Sequence, residues 1–334
     1  LPIYAHVSWF LCNSLALSKV YPAYYLLILL GSLLPWFERK SWPYGLILCL
    51  AGLYAFGWVL MTGNISLLEF FLISLSAFLL LRNHGRLAML LLGVAASFKL
   101  FPLLFFPLFL ALLPDTRSRW RAVPWGILGF ASPFLISAIT NPELMPWFVR
   151  QLLGLVPGQH SAVVEVTGAD NPSLTHMILD MLPFHLPPLI GFFTYLGLTI
   201  LLAIGGWLLW KRLSPPYALE GRREVLLALG MCTIIILMPR IKPYDFVLAL
   251  LCIYLLSREL SRQRQTALLV LLVVLPSLVV IALQTGTMLV FLRALPAAPR
   301  TIALTLLEYQ QPLLLASALL LIIRGFRQDN QEGG

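Results

Sequence analysis

Apolar runs follow one another along nearly the whole chain, and they limit what it can fold into more than any motif does. Runs that read as membrane helices lie at approximately 3–18, 22–37, 43–61, 65–81, 122–139, 188–210, 225–238, 244–257, 266–284 and 301–323, where a span needs roughly 20 apolar residues. A further stretch, 88–113, is broken at Ser97-Phe98-Lys99-Leu100-Phe101-Pro102. It reads as a pair of short or tilted segments with Lys99 at the turn, or as one long tilted helix. Hydrophobic residues are 60% of the 334 and charged residues 11%, with a mean hydropathy of +0.89. A soluble domain has roughly 45–50% apolar and about 25% charged residues, and a globule of this size cannot bury the excess. The sequence therefore predicts an all-α fold, a polytopic transmembrane helical bundle of about 10–12 membrane segments including a short hairpin at 88–113. Residues 1–327 form a single transmembrane domain and 328–334 a polar tail. Aqueous enzymes, secreted disulfide scaffolds and disordered linkers are excluded as the main class.

Charge placement points the same way. Lys plus Arg number 23 and Asp plus Glu 14, a net charge of +9, yet the basic residues sit in short turns between apolar runs. That is the positive-inside pattern and calls for no nucleic-acid partner; the surrounding partners are membrane lipids. With the turn holding Arg39 and Lys40 in the cytoplasm, alternation places 16 of the 23 basic residues on that side. The result is a multi-pass protein of the cell inner (plasma) membrane. Its longest extracytoplasmic loop, 140–187, is rich in proline and aromatic residues and poor in charge, so the extracytoplasmic side is where a site is expected. Cys12, Cys49, Cys232 and Cys252 lie inside apolar runs, as buried thiols do, and their spacing fits no metal site. No internal repeat stands out, and nothing visible calls for a cofactor or metal. The chain begins at Leu1, with no basic leader before the first apolar run, which reads as a sequence that starts inside a longer protein.

Few residues carry chemistry. Lys99 is a cation within an apolar run, where charge is expensive; it snorkels to the interface, pairs with a carboxylate, or binds an anion such as a phosphate. Arg240 and Lys242 sit in the proline-bounded turn Pro239-Arg240-Ile241-Lys242-Pro243-Tyr244-Asp245. They form either a solvated turn paired with Asp245 or a clamp on a lipid phosphate or pyrophosphate, with Arg240 bidentate and Lys242 a point charge. Asp245 then orients one of them or meets a sugar hydroxyl. Asn64, in Thr62-Gly63-Asn64-Ile65-Ser66, caps the next helix or lines a polar cavity. Asn171 and Ser173, in Asp170-Asn171-Pro172-Ser173-Leu174, start a helix through an Asx-turn or hydrogen-bond a sugar. Among the outer acidic residues Glu143, Glu165, Asp170, Asp180 and Asp245, none is singled out as a base. His160, His176 and His185 are too irregularly spaced to suggest a metal.

Taken in order, these pieces resemble the GT-C class of bacterial polytopic glycosyltransferases, in particular glycosyltransferase family 87. The likeness rests on Trp9-Phe10-Leu11-Cys12-Asn13, on Gly63-Asn64 opening a helix, and on Lys99-Leu100-Phe101-Pro102 as a Lys-x-x-Pro segment. Trp120-Arg121 and Asn171-Pro172-Ser173-Leu174 complete it. The resemblance covers about residues 1–260. It implies transfer of mannose or a related sugar from a polyprenyl-phosphate donor to a lipid or glycan acceptor on the extracytoplasmic face, with inversion. Lys99 would then lie near the donor phosphate, and Asn64 and Asn171 around the sugar. Arg240 and Lys242 match less clearly and rest on topology. Two departures stand out. The acidic residue such enzymes carry after their first helix has no counterpart here, so the catalytic residue is unassigned. At the Gly63 motif, a Gln is more usual two residues before the Asn.

The donor-site reading requires separated cationic turns to meet in one pocket open to the outer leaflet. The rival reading is a transporter or flippase for lipid-linked sugars, which also needs cations near a lipid phosphate. A third is a membrane scaffold whose cations face headgroups separately.

Overall fold

In a computed structural model of the chain, the structure describes residues 66–147 except 144, 223–238, 241–262 and 309–332, together with isolated positions between 150 and 306. Every regular element among them is helical. The described helices fall into two compact units, one within Val59–Ala162 and one within Val163–Gly334.

The first unit begins with α1, Ser66–Leu81, and α2, Gly85–Phe98. The turn between them follows from its residues. Asn83 takes the left-handed conformation at φ 63°, which asparagine tolerates better than most residues. The His84 amide then donates to the Leu79 carbonyl at 2.8 Å and the Asn83 amide to Leu80 at 3.1 Å, a Schellman closure of α1. The resulting antiparallel pair buries Phe70, Ile73, Ala77 and Leu80 from α1 and Ala88, Met89, Leu92 and Ala95 from α2, apolar positions at helical spacing on each partner. The buried Ser76 hydroxyl donates to the Ala88 carbonyl at 2.5 Å, fastening one helix to the other.

After α2 come a 3-10 segment, Phe101–Phe105, and a short helix α3, Phe106–Ala111. The long helix α4 then runs over Thr116–Thr140. Asp115 starts α4: its carboxylate accepts from the Ser118 amide at 2.7 Å and from the Ser118 hydroxyl at 2.8 Å, a standard N-cap. α4 packs mainly on α2, and glycines let the two backbones touch. A Cβ on Gly93 would run into the Gly126 carbonyl oxygen, and one on Gly129 into that of Leu90. Small residues at a helix crossing are a common device of membrane helices. Pro133 lies inside α4 and cannot donate to the Gly129 carbonyl; the Ser132 hydroxyl approaches that carbonyl at 3.5 Å.

In the second unit, α5 spans Arg223–Leu237, a 3-10 segment spans Pro243–Leu248, α6 spans Ala249–Arg262 and α7 spans Gln310–Glu332. α5 packs on α6 and on α7. α6 is buried on all sides from Ala249 to Ser257, as expected of a helix apolar all round. Cys232 and Cys252 are buried free thiols, and the Cys232 Sγ lies 3.8 Å from the Leu315 carbonyl of α7.

The structure overturns the expected polytopic bundle of about 10–12 membrane segments. Among the described residues, α4 is the one helix long and apolar enough to cross a membrane, and the other apolar helices run 10–17 residues. A span requires an unbroken helix as well as an unbroken apolar run, and among the described residues most helices are too short; the expected runs at 3–18, 22–37, 43–61, 188–210 and 266–284 lie wholly or largely outside the described residues. The run at 65–81 ends before the polar turn Arg82-Asn83-His84, and its helix α1 has 16 residues. The stretch 88–113, expected as a hairpin of membrane segments, does break at Lys99 into two short pieces, but these are most of the 14-residue α2 and the 3-10 segment with the six-residue α3, shorter than a span. The run at 244–257 opens as a 3-10 segment before α6. Much of the apolar surface is covered by neighbouring helices within each unit. α4 differs: only 28% of its most apolar window is buried, and Ile127 and Ile139 stand 60% and 81% exposed. A helix with that exposed apolar flank is consistent with a membrane-associated protein.

Candidate functional site

The site grows out of the break after α2. Pro102 has no amide hydrogen, and its ring would clash with the Phe98 carbonyl if the helix continued. The helix therefore ends at Phe98, and Lys99 turns to extended backbone at φ −139°, ψ 142°, its amide still reaching the Ala95 carbonyl at 3.4 Å. Because α1 and α2 are antiparallel and joined by a short turn, the C-terminal end of α2 lies beside the first turn of α1. That turn presents Ser66 and Glu69, three residues apart and so on one face of the helix.

The Lys99 ammonium donates to the Ser66 hydroxyl at 2.5 Å. It lies 3.7 Å from Glu69 Oε2. The exposures of the two partners differ: the Glu69 side chain is fully buried, while that of Lys99 is 24% exposed. The carboxylate thus anchors the ammonium from below and leaves one side of it facing outward. Glu69 also sits in the first turn of α1, where a negative charge favours the helix start. Burying such a pair is costly unless both charges keep partners.

Of the three options read for Lys99 in the sequence, pairing with a carboxylate is the one seen. Glu69 was missed because acidic candidates were sought in loops. The signal was there: an ionisable residue within an apolar run is a functional candidate by default.

The other sequence-predicted residues are placed as follows. Lys242 and Asp245 come together in one turn, where the Lys242 amide donates to Asp245 Oδ2 at 3.1 Å and the Asp245 amide donates to the Lys242 carbonyl at 2.9 Å. Asp245 is buried, and its carboxylate helps close the start of the 3-10 segment. Ser173 is buried, and its carbonyl accepts from the Met177 amide at 3.0 Å, as at a helix start. Asn64, Asn171 and Arg240 lie outside the described residues. Lys99 belongs to the first unit and Lys242 to the second. Among the described residues, no three His, Cys, Asp or Glu side chains gather to hold a metal.

Searches of curated proteins and of solved structures gave no match. The family model described as Glycosyltransferase family 87 matches residues 2–239, a range that contains the whole α1–α4 unit with Ser66, Glu69 and Lys99. With most of its length matched, the chain belongs to glycosyltransferase family 87 and is a transferase of that general kind.

Proposed function

We propose that the chain moves a hexose or pentose, mannose-like, from a polyprenyl-phosphate donor to a lipid or glycan acceptor on the extracytoplasmic side, with Lys99 meeting the donor phosphate. The observation carrying this reading is the break at Lys99, where Ser66 and buried Glu69 hold a partly exposed ammonium. Family membership supports the transferase chemistry.

In the reaction, the acceptor oxygen bonds to the anomeric carbon as the bond from that carbon to the phosphate oxygen breaks. The acceptor proton passes to a base, and the polyprenyl phosphate leaves with the electron pair. Negative charge grows on the phosphate during this step, so a fixed cation there stabilises the transition state more than the ground state. Glu69, fully buried beneath Lys99, acts on the ammonium rather than on the acceptor. In this reading Asn64, Asn171 and Ser173 hydrogen-bond sugar hydroxyls, Arg240 and Lys242 form a phosphate clamp, and Asp245 holds the Lys242 turn.

The structure dictates how to test Lys99. Lys99→Ala alone strands a buried carboxylate, at a cost of about 3 kcal/mol, so lost activity would be ambiguous. Lys99→Met combined with Glu69→Gln removes both charges. The expected outcome is an unfolding midpoint closer to wild type than that of Lys99→Ala, with transfer from polyprenyl-phosphate-mannose reduced about 100-fold or more, the scale of a removed transition-state donor. A folded double variant that transfers sugar at near wild-type rate would refute the phosphate role.

A further inference from the structure

The far end of α2 holds a second feature that the transfer reaction does not use. A cleft of about 330 Å³ opens there, lined by Asn83 and Arg86 from the α1–α2 turn and α2, and by Ser118 and Arg121 from α4, with Leu87 and Leu113 at its apolar side. α2 has 14 residues, so at 1.5 Å per residue this cleft lies about 20 Å from Lys99.

Five arginines lie at this end, and three of them do not line the cleft. Arg82 lies over the Phe78 ring at 5.3 Å. Arg119 donates to the carbonyls of Leu113 and Ala111 at 3.3 Å. Arg117 follows Asp115 by two residues on α4 and does not line the cleft. Arg86 and Arg121 remain, and they come from different helices into one concavity. Both are exposed, so their guanidinium groups are open to a ligand. The Ser118 hydroxyl is already committed to Asp115, which leaves the two guanidinium groups as the charged donors.

The surroundings decide what anion fits. The polar start of α4 gives way at Ala122 to an apolar helix with an exposed flank. Trp120, next to Arg121, is 73% exposed, as tryptophan is where a membrane meets water. Leu87 is half exposed on the cleft wall. Two arginines beside such a surface match a phosphate that carries acyl chains better than a free ion.

We propose that the Arg86–Arg121 cleft binds the phosphate of an anionic phospholipid headgroup, with the acyl chains running along the Leu87 and α4 surface. This site is independent of the donor site at Lys99.

The test uses the full chain in a neutral maltoside detergent, titrated with short-chain phosphatidylglycerol, short-chain phosphatidylcholine or inorganic phosphate, and read by native mass spectrometry. Phosphatidylglycerol is expected to leave a retained one-lipid adduct; phosphatidylcholine keeps the phosphate but adds a choline cation that the two arginines repel, and inorganic phosphate lacks acyl chains to bury, so each should bind at least about 10-fold more weakly. Arg86→Gln combined with Arg121→Gln should weaken phosphatidylglycerol binding by at least about 10-fold. Arg82→Gln combined with Arg117→Gln, which removes the same two charges outside the cleft, should leave it within about twofold. Equal losses in the two variants would show general charge attraction and overturn the site. Inorganic phosphate binding as tightly as the lipid would overturn the lipid assignment. If the double variant fails to fold, Arg86→Gln and Arg121→Gln taken singly carry the same comparison with Arg117→Gln.

Discussion

At the scale of residues, the molecule turns on where single charges are placed. Lys99 was visible in the sequence as a cation out of place, and Pro102 explained why the chain must break beside it. Its partners Ser66 and Glu69 were not visible, because the hydrogen bond to Ser66 spans 33 residues and no local pattern encodes such a contact. Asp245 shows the reverse case. Its place in the Lys242 turn was readable because the two lie three residues apart, and its carboxylate accepts from the Lys242 backbone amide. Asp115 supports a residue-scale prediction. The Ser118 backbone amide, followed by the Ser118 hydroxyl, holds its carboxyl below the ordinary value. A folded-state value below the unfolded one means that the cap's contribution is fully present above the unfolded value and is lost as pH falls through the folded one. At neutral pH, Asp115→Ala should therefore reduce hydrogen-exchange protection at the start of α4. Well below the ordinary carboxylate range the variant and wild type should converge. A constant difference across that pH range would show that the charge of Asp115 is not what holds the turn.

At the scale of elements, the close crossing of α2 and α4 is the strictest packing requirement in the first unit. Gly93, Gly126 and Gly129 could be read from the sequence, but their partners could not, since the residues that meet are set by how the helices cross. The atoms facing the missing Cβ positions of Gly93 and Gly129 are backbone atoms, which cannot move aside as a flexible side chain can. Gly129→Val should cost at least about 3 kcal/mol, the upper end of ordinary overpacking, measured by thermal unfolding in detergent. Gly205→Ala is the control. A Cβ there meets nothing within 4 Å, so the change should be neutral or stabilising by up to about 1 kcal/mol through helix propensity. Similar losses at both positions would mean that the crossing is looser than the structure has it.

At the scale of the whole molecule, an exposed apolar flank on α4 and apolar helices packed within two units describe a protein held at a membrane. After alkaline carbonate extraction of membranes, the chain should stay in the pellet and leave it only with detergent. Release by carbonate alone would contradict the lipid-facing assignment of α4. Composition by itself determined that the chain is helical and seeks an apolar surrounding, because backbone groups in such a setting must find partners within their own helix. It also marked Lys99-Leu100-Phe101-Pro102 as a break, since proline's constraints act on the residues next to it. The tertiary structure decided, among the described residues, which apolar runs stay one helix, because the break at Lys99 ends α2 although the apolar stretch continues to Leu113. It also decided that Lys99 rests on Glu69 and that Arg86 and Arg121 share a cleft, because contacts between distant segments depend on helix packing that no local pattern records.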